Sequence, residues 1–455
     1  MIKNIESIIT QNMQTIECKI KEFVYSVQEL EKENKLTVNS IEKLAGETIL
    51  MLINIVLAMA GALLSNIVTE KTQAYCECGR KMILSKRNAL TRILTVYGYI
   101  DVTRDILFCR RCHKCHGVLD KELEIYGEHR ITKGVTEIIS YVAQLVPSFE
   151  RASEAISKLL KIQVSAPQIQ IVSEEVGKKV FEKQMEESRE AFEKPEKAAP
   201  AEVPAYRKEG RLYIITDGSQ INTRVEDENG STWKEMKLGL IFWDKDVIKR
   251  SDGSHIIAKK EYVSYFGSVE EFKKVVFAAA AKAGYGKIRE VVVIGDGAQW
   301  IWNMCEEIFP DAVQILDFYH ISENIHKYGK FIYPEDEVSR KKWVNKILEC
   351  LNTGDIEKAI KLAEEKKVNK TPDGIVNIYT YMVNNKERIK YKYYKDKGYY
   401  IGSGAIESGN KMVIQQRMKQ SGMRWSIDGG QYIAALRTRH ESNRWDEVIE
   451  IINAS

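Results

Sequence analysis

The chain has 455 residues, too many for one ordinary core, so two to four domains of about 100–200 residues each are expected. Its 44% hydrophobic and 29% charged residues sit near the soluble globular average and argue against a disordered chain or an integral membrane protein. A formal net charge of only +4 says little about partners, so the distribution of charge has to be read instead.

The N-terminal MIKNIESIITQNM lacks a basic region followed by an apolar stretch and a small-residue cleavage site, which gives the expectation of a cytoplasmic protein. Residues 1–73 read as a helical region, polar with heptad-like spacing to about Asn39 and then apolar from Ile49 to Leu64 except at Asn54. That apolar run falls short of the ~20 residues of a membrane span, so a buried or dimerisation helix is expected, with no membrane partner, a transmembrane anchor being the alternative.

Residues 74–117 hold five of the eight cysteines, as Cys76-x-Cys78-Gly79 and Cys109-x-x-Cys112-x-x-Cys115. Between them, Leu94–Val102 has β-propensity around Gly98, as a hairpin would. In a cytosolic chain this pattern favours a zinc-ribbon-like module over disulfides. Tetrahedral Zn²⁺ on Cys76, Cys78, Cys109 and Cys112 is the expectation, and Cys115, His113 or His116 can substitute for one of them.

Residues 118–192 return to a helical pattern, with breaks at Pro147-Ser148 and at Val164–Pro167. Ser165 can cap a helix running Gln168 to Lys179, with Pro167 in its first turn. The arrangement suits a helix-turn-helix DNA-binding region, and equally two packed helices of no special purpose. Residues 193–209 then carry three of the eight prolines and read as a linker.

Beyond it, strands and helices alternate. Strands are expected at Arg211–Thr216, Met236–Trp243 and Glu261–Phe266, then a helix at Ser268–Ala283 between a Ser268 cap and a Gly284 stop. A strand at Glu290–Ile294, a helix at Ala298–Ile308 and a strand at Ala312–Leu316 follow. That succession is ribonuclease H-like. The expected fold is therefore multidomain α+β, with a ribonuclease H-like α/β core over 210–335 and 399–455 interrupted by an all-helical insertion at 336–398.

Two strands are expected to end alike, at Thr216-Asp217-Gly218 and Gly295-Asp296-Gly297. One Asp-Gly pair makes an ordinary turn; two after matching apolar strands place carboxylates where α/β sheets gather ligands. A third carboxylate, Glu407, follows a Gly-rich entry and opens a helix on which Glu407, Asn410, Lys411, Ile414 and Arg417 share an arc of roughly 120°. Three converging carboxylates repel unless cations lie between them, which points to Mg²⁺ or Mn²⁺, two ions in all, and to in-line phosphodiester attack.

Residues 383–444 contain thirteen Lys or Arg against five Asp or Glu, an excess of eight. With seven tyrosines from Tyr379 to Tyr400, this segment suits phosphate contact and stacking, Lys411, Arg417, Lys419 and Arg424 being the expected DNA-binding cations; a solvated basic face looks the same. Trp300, Trp302 and Trp425 read as core, with stacking on a flipped base as the alternative.

Through Thr216-Asp217-Gly218, Gly295–Ile301, Asp317-Phe-Tyr-His320, Gly404-Ala-Ile-Glu407-Ser and Gly422-Met-Arg-Trp425-Ser, the chain resembles the bacterial insertion-sequence transposases of the Lre type, related to the Mutator-like DDE superfamily. The resemblance implies that Asp217, Asp296 and Glu407 are the catalytic, Mg²⁺-holding triad. Asp317 and His320 match that superfamily's Asp-x-x-His element and are expected to support it. The family's first knuckle is Cys-x-x-Cys-Gly, where this chain has Tyr75 in place of the outer cysteine.

The implied activity is metal-dependent DNA strand cleavage and strand transfer at an element's terminal repeats, by a homo-oligomer that pairs two ends. The alternatives are a retired transposase acting as a DNA-binding protein and a metal-dependent nuclease that does not join strands. Should Glu407 not be the third carboxylate, Glu323 or Glu306 is next.

Overall fold

The computed structural model describes residues 5–68, 75–76, 78–117, 129–251, 255–288 and 290–454. The protein is multidomain α+β, with many helices and mixed sheets, and divides into two compact units: Met1–Ser173 with Ile449–Ser455, and Glu174–Val448.

The first unit begins with α1 (Ile5–Lys32) and α2 (Val38–Val68), packed as a hairpin. The apolar stretch expected to be short is part of a 31-residue helix, because Val38–Thr48 continues it with no proline to stop it. Nor is it buried: Ile49, Leu50, Met51 and Val56 are 45–55% exposed. Among the described residues α2 is the one helix long and apolar enough to cross a membrane.

The C-terminal turns of α2 lie on a three-stranded sheet, β1 (Ile83–Thr95), β2 (Gly98–Phe108) and β3 (Cys115–Gly117), ordered β1-β2-β3 and antiparallel. A side chain at Gly61 would strike the Asp101 carbonyl of β2, and Ser65 Oγ accepts the Thr103 N–H at 2.8 Å. The hairpin expected around Gly98 is thus present, longer than its sequence signal.

Next come α3 (Lys133–Leu145), α4 (Phe149–Leu160) and α5 (Ala166–Glu193). Thr132 and Ser148 cap the first two. Ile139, Ala152, Ile156, Ile169 and Val172 close a core with Leu94 and Ile131. Instead of a short second helix, α5 runs for 28 residues, and the boundary between the two units falls within it.

In the second unit, residues 194–209 are folded. They form α6 (Pro195–Ala198) and a short 3-10 turn at Ala205–Arg207, and Val203 is buried against Gly284. Their proline content sets the expectation of a linker, but Val203 supplies an apolar anchor and Lys287 ties down the Ala201 carbonyl at 2.9 Å.

The central sheet holds β4 (Leu212–Asn222), β5 (Trp233–Trp243), β8 (Lys260–Tyr265), β9 (Val291–Gly295) and β10 (Val313–Leu316), in the order β10-β9-β4-β5-β8. A small hairpin, β6 (Val247–Lys249) with β7 (His255–Ile257), interrupts it. In chain order the five central strands stand 5-4-1-2-3, with β5 antiparallel to both neighbours and β9 and β10 parallel to β4.

Ser268 caps α7 (Val269–Ala283) and Gly284 ends it in the left-handed conformation, as expected. After α8 (Gln299–Ile308) and α9 (Phe318–Ile332), four helices fill 337–396: α10 (Glu337–Thr353), α11 (Ile356–Glu364), α12 (Ile378–Asn384) and α13 (Tyr391–Asp396). The chain then returns through α14 (Gly404–Gly409), a π-helical turn, α15 (Gln416–Met418), α16 (Ile427–Glu441) and α17 (Trp445–Asn453).

Candidate active site and cysteine cluster

The site in the second unit is set by strand register. β9 pairs in parallel with β4 at Ile215↔Ile294 and with β10 at Leu316↔Gly295. Carried on, those registers bring Asp217, Asp296 and Asp317 to one level across three neighbouring strands, which stand about 4.8 Å apart. Asp217 is not at a strand end, because β4 continues to Asn222 paired with β5; it lies where β9 stops and leaves one edge of β4 open.

Each carboxylate of the row has a different environment. Gly218 N–H donates to Asp217 Oδ1 at 2.7 Å and the Asn410 side-chain amide donates to Oδ2. Burial pushes the Asp217 carboxyl up to about 6, with the charge of Asp296 adding to it against the pull of Gly218, Asn410 and His320. Asp296 Oδ1 accepts the Ala298 N–H at 2.9 Å, and the Tyr381 hydroxyl donates to the Asp296 carbonyl at 2.6 Å. Asp317, 1% exposed, caps α9 through the Tyr319 N–H at 2.8 Å and accepts a bond from Ser403.

Glu407 stands exposed on α14. Ser403 spends its one hydroxyl proton on Asp317 and has Glu407 Oε1 3.5 Å away, so Glu407 lies near the aspartate row without being bonded to it. His320 is half-buried on the first turn of α9 and close enough to Asp217 to favour its ionised form. The structure thus brings Asp217, Asp296 and His320 together, with Asp317 in the same row and Glu407 near it but separate. Among the described residues, however, only the cysteines form a group of three or more ligand atoms all within 4.8 Å of one another.

The helix after Glu407 departs from the regular α-helix expected. Asn410–Gln415 is a π-helix, whose extra residue per turn rotates the turn beyond it. Glu407 and Lys411 are exposed, whereas Asn410, Ile414 and Arg417 are buried. Arg437, 3% exposed on α16, donates to the Met412 and Val413 carbonyls within this π-turn. Burial pulls its guanidinium down to about 10. The sequence carries no signal for this role of Arg437, nor for Tyr381 as a brace.

Arg417 has to be corrected as a DNA-binding residue. It is 1% exposed, with its guanidinium 5.0 Å from the Trp425 ring centroid, so it is a core residue. Much of the surrounding charge is also engaged internally. Lys386 pairs with Glu357, Lys390 with Glu387, Lys392 with Asp396 and Arg444 with Glu447, while Arg437 and Arg439 are buried. Lys411, Lys419 and Arg424 remain exposed.

The tyrosines behave similarly. Tyr391 donates to Leu316 O at 3.0 Å, Tyr394 to Glu387 O at 2.8 Å and Tyr399 to Glu290, leaving Tyr393 and Tyr400 as the exposed members of the set. Trp302 and Trp425 are core residues at 1% and 5% exposure.

The other cluster, in the first unit, is compact. The Sγ atoms of Cys76, Cys78, Cys109 and Cys112 lie within 4.8 Å of one another, with Cys78 and Cys109 3.7 Å apart, and can hold a metal ion such as zinc. Cys115 sits exposed in β3, outside the group, and the side chain of His116 lies outside the described residues. The single-residue spacing of Cys76 and Cys78 is accommodated by a tight turn at Gly79, whose N–H bonds the Cys76 carbonyl at 2.8 Å.

The Arg80 N–H, and next the Cys112 sulfur, bring the Cys78 thiol down to about 7; the Cys78 neighbour pushes Cys112 up to about 12. One thiolate is therefore favoured before any ion arrives. Around the two knuckles and along β1, Arg80, Lys81, Lys86, Arg87, Arg110 and Arg111 are all exposed, with no ion pair to a described residue.

A family profile described as "Uncharacterised protein family (UPF0236)" matches residues 33–448. A Streptococcus gallolyticus protein, "UPF0236 protein in vanSb 3'region", is 22% identical over 335 residues, which cover 72% of this chain and 68% of that protein.

Proposed function

The chain belongs to the uncharacterised protein family UPF0236, and we propose that it is a DNA transposase that cuts and joins DNA with Asp217, Asp296 and Glu407. The observation that carries the reading is the aspartate row: Asp217 and Asp296 fall at one level when the parallel β4–β9 register is carried two residues on, Asp217 is raised to about 6, and Glu407 lies 3.5 Å from the Ser403 hydroxyl that bonds Asp317. The strand order 5-4-1-2-3, with the second strand antiparallel, supports a ribonuclease H-like core.

The donors fit a hard divalent cation. They are all oxygens, and a carboxyl held at about 6 by burial and a neighbouring carboxylate is a place short of positive charge. Asp217, Asp296 and Glu407 would hold Mg²⁺ or Mn²⁺, which supplies activation of the attacking water or 3′-hydroxyl and stabilises the leaving oxygen. The protein's own part is orientation. Asn410 and Gly218 fix both oxygens of Asp217, the Ala298 N–H fixes Asp296, and the π-turn clamped by Arg437 holds Asn410 in place. Asp317 and His320 support the row.

DNA is the partner that suits the exposed cations, those of the cysteine module and Lys411, Lys419 and Arg424 in the segment after Glu407. Zinc on the four cysteines would serve a structural role.

Asp217→Asn, Asp296→Asn and Glu407→Gln should each lower Mg²⁺-dependent cleavage of element-end DNA by about 10³-fold or more while binding persists, because metal-held carboxylates act as a unit. Activity in Glu407→Gln with a dead Asp217→Asn would move the third ligand elsewhere. Glu323 and Glu306 are the next to test, although they pair with Lys327 and Arg388. Cleavage by all three variants would overturn the site, and cutting without joining would make the protein a nuclease.

A further inference from the structure

The α1–α2 hairpin exposes apolar surface out of proportion to its size. Thirteen of the 33 large hydrophobic residues exposed among the described residues lie between Ile5 and Val56. They are ordered in stripes. At 100° per residue, Ile9, Met13, Ile20 and Val24 of α1 fall within an arc of about 60°, beside the half-buried stripe of Ile8, Ile16, Phe23 and Leu30. On α2, Val38, Ile41, Ile49 and Val56, exposed by 81%, 37%, 55% and 53%, fall within about 80°. Spacings of three, four, seven and eight keep residues on one helix face, as in helix–helix seams, so each helix carries a seam with nothing on it among the described residues.

We propose that this hairpin is a self-association surface, on which the hairpin of a second copy of the chain packs to form an antiparallel-paired four-helix bundle. The area argues for a protein partner of that kind. The eight seam residues, about half exposed, amount to roughly 700 Å² of apolar surface, above the few hundred Å² that monomers tolerate and close to the ~800 Å² per partner of a stable dimer. The rest of α1 suits a bundle in water, with Lys21–Glu17, Lys19–Glu22 and Lys32–Glu29 pairs along its outside.

A bilayer is the competing occupant, and the chemistry of α2 disfavours it. Glu42, Lys43 and Glu47 are exposed in its first half. Gly61 and Ser65 hold its second half against Asp101 and Thr103 of β2, beside the exposed Arg92–Asp101 ion pair. No stretch of about 20 residues is left that avoids both. The inference does not depend on the aspartate site.

The test is the mass of the full-length, zinc-loaded protein in solution by light scattering at tens of micromolar, with flotation on phosphatidylcholine vesicles as the second measurement. Wild type is expected to be a dimer that does not float. Ile49→Glu with Val56→Glu should give a monomer with unchanged zinc content. The milder Ile49→Ala with Val56→Ala, which keeps the helix intact, should weaken the dimer by about tenfold or more. A monomeric wild type, a dimer unaffected by either pair of changes, or wild type that floats with vesicles would each overturn the proposal.

Discussion

The two clusters of ligand-bearing side chains differ in how complete they are. In the cysteine module four sulfurs already lie within 4.8 Å of one another. In the second unit Asp217 and Asp296 feel each other's charge, but Glu407 is held apart on α14, and no three carboxylates among the described residues approach that closely. The chemistry of the donors accounts for the contrast. Thiols are neutral until an ion or a backbone N–H draws off a proton, so they can be packed together in advance. Carboxylates are charged at neutral pH and repel, and Asp217 is raised by burial and by its neighbour's charge. One site is assembled by folding and the other is not.

That difference is sharpest when the cysteines are removed. Cys109→Ser with Cys112→Ser should take bound zinc from about one ion per chain to none and unfold the β1–β3 module, since structural zinc contributes about 10 kcal/mol or more to such folds. Metal analysis and circular dichroism of the freshly reduced protein measure both. Wild type without zinc would break the comparison at its stronger end.

The units also differ in how they use positive charge. In the cysteine module six cations stand exposed with no ion pair to a described residue, whereas the basic segment 383–444 engages most of its cations internally. Arg110→Gln with Arg111→Gln, and separately Lys411→Gln with Lys419→Gln, should flatten the dependence of log K on log salt by about 0.9 for each phosphate that is no longer neutralised. Arg417→Gln should leave that slope alone and lower stability instead, because its guanidinium is buried on Trp425. A slope changed by Arg417→Gln alone would mean that the helix opens on DNA.

What is legible in the sequence is what is local. The central strands, α7 with its Ser268 cap and Gly284 stop, and the four clustered cysteines rest on periodicity, capping and spacing, and all are present. Asp217 falls on the expected strand, but that strand runs on to Asn222 because pairing with β5 outlasts pairing with β9. The π-turn at Asn410–Gln415 is illegible: it is held by Arg437, on another helix, and residue spacing carries no mark of that interaction. Arg417 does share a face with Asn410 and Ile414, as the spacing says, but that face is the buried one, and spacing alone does not tell which face a helix turns inward. The folded stretch 194–209 is hidden by prolines that speak of stiffness and not of the burial of Val203.

The smallest expected effect bears most directly on why the aspartate row is incomplete. If Asp217 is held at about 6 against an ordinary 3.8, the folded protein binds more protons than the unfolded chain between those values, so stability falls as pH rises through that window. Above it the fold carries a carboxylate it disfavours. Asp217→Asn keeps the shape and removes the charge; its oxygen can still accept from Gly218, and its NH2 can donate to the Asn410 carbonyl oxygen if that amide turns over. Without added divalent cation at pH 7–8, it should therefore be more stable than wild type, by on the order of 1–2 kcal/mol once partial exposure is discounted. Toward pH 4 the two should converge, because the folded wild type then holds its proton and the unfolded chain is taking one up. Added Mg²⁺ should raise the melting temperature of wild type and leave Asp217→Asn nearly unmoved, since only the former offers the ion a charge to bind. Thermal melts across pH 4–8, with and without Mg²⁺, distinguish the cases. An Asp217→Asn protein no more stable than wild type at pH 8 would mean that Asp217 is content as an anion, and that the row needs no cation to complete it.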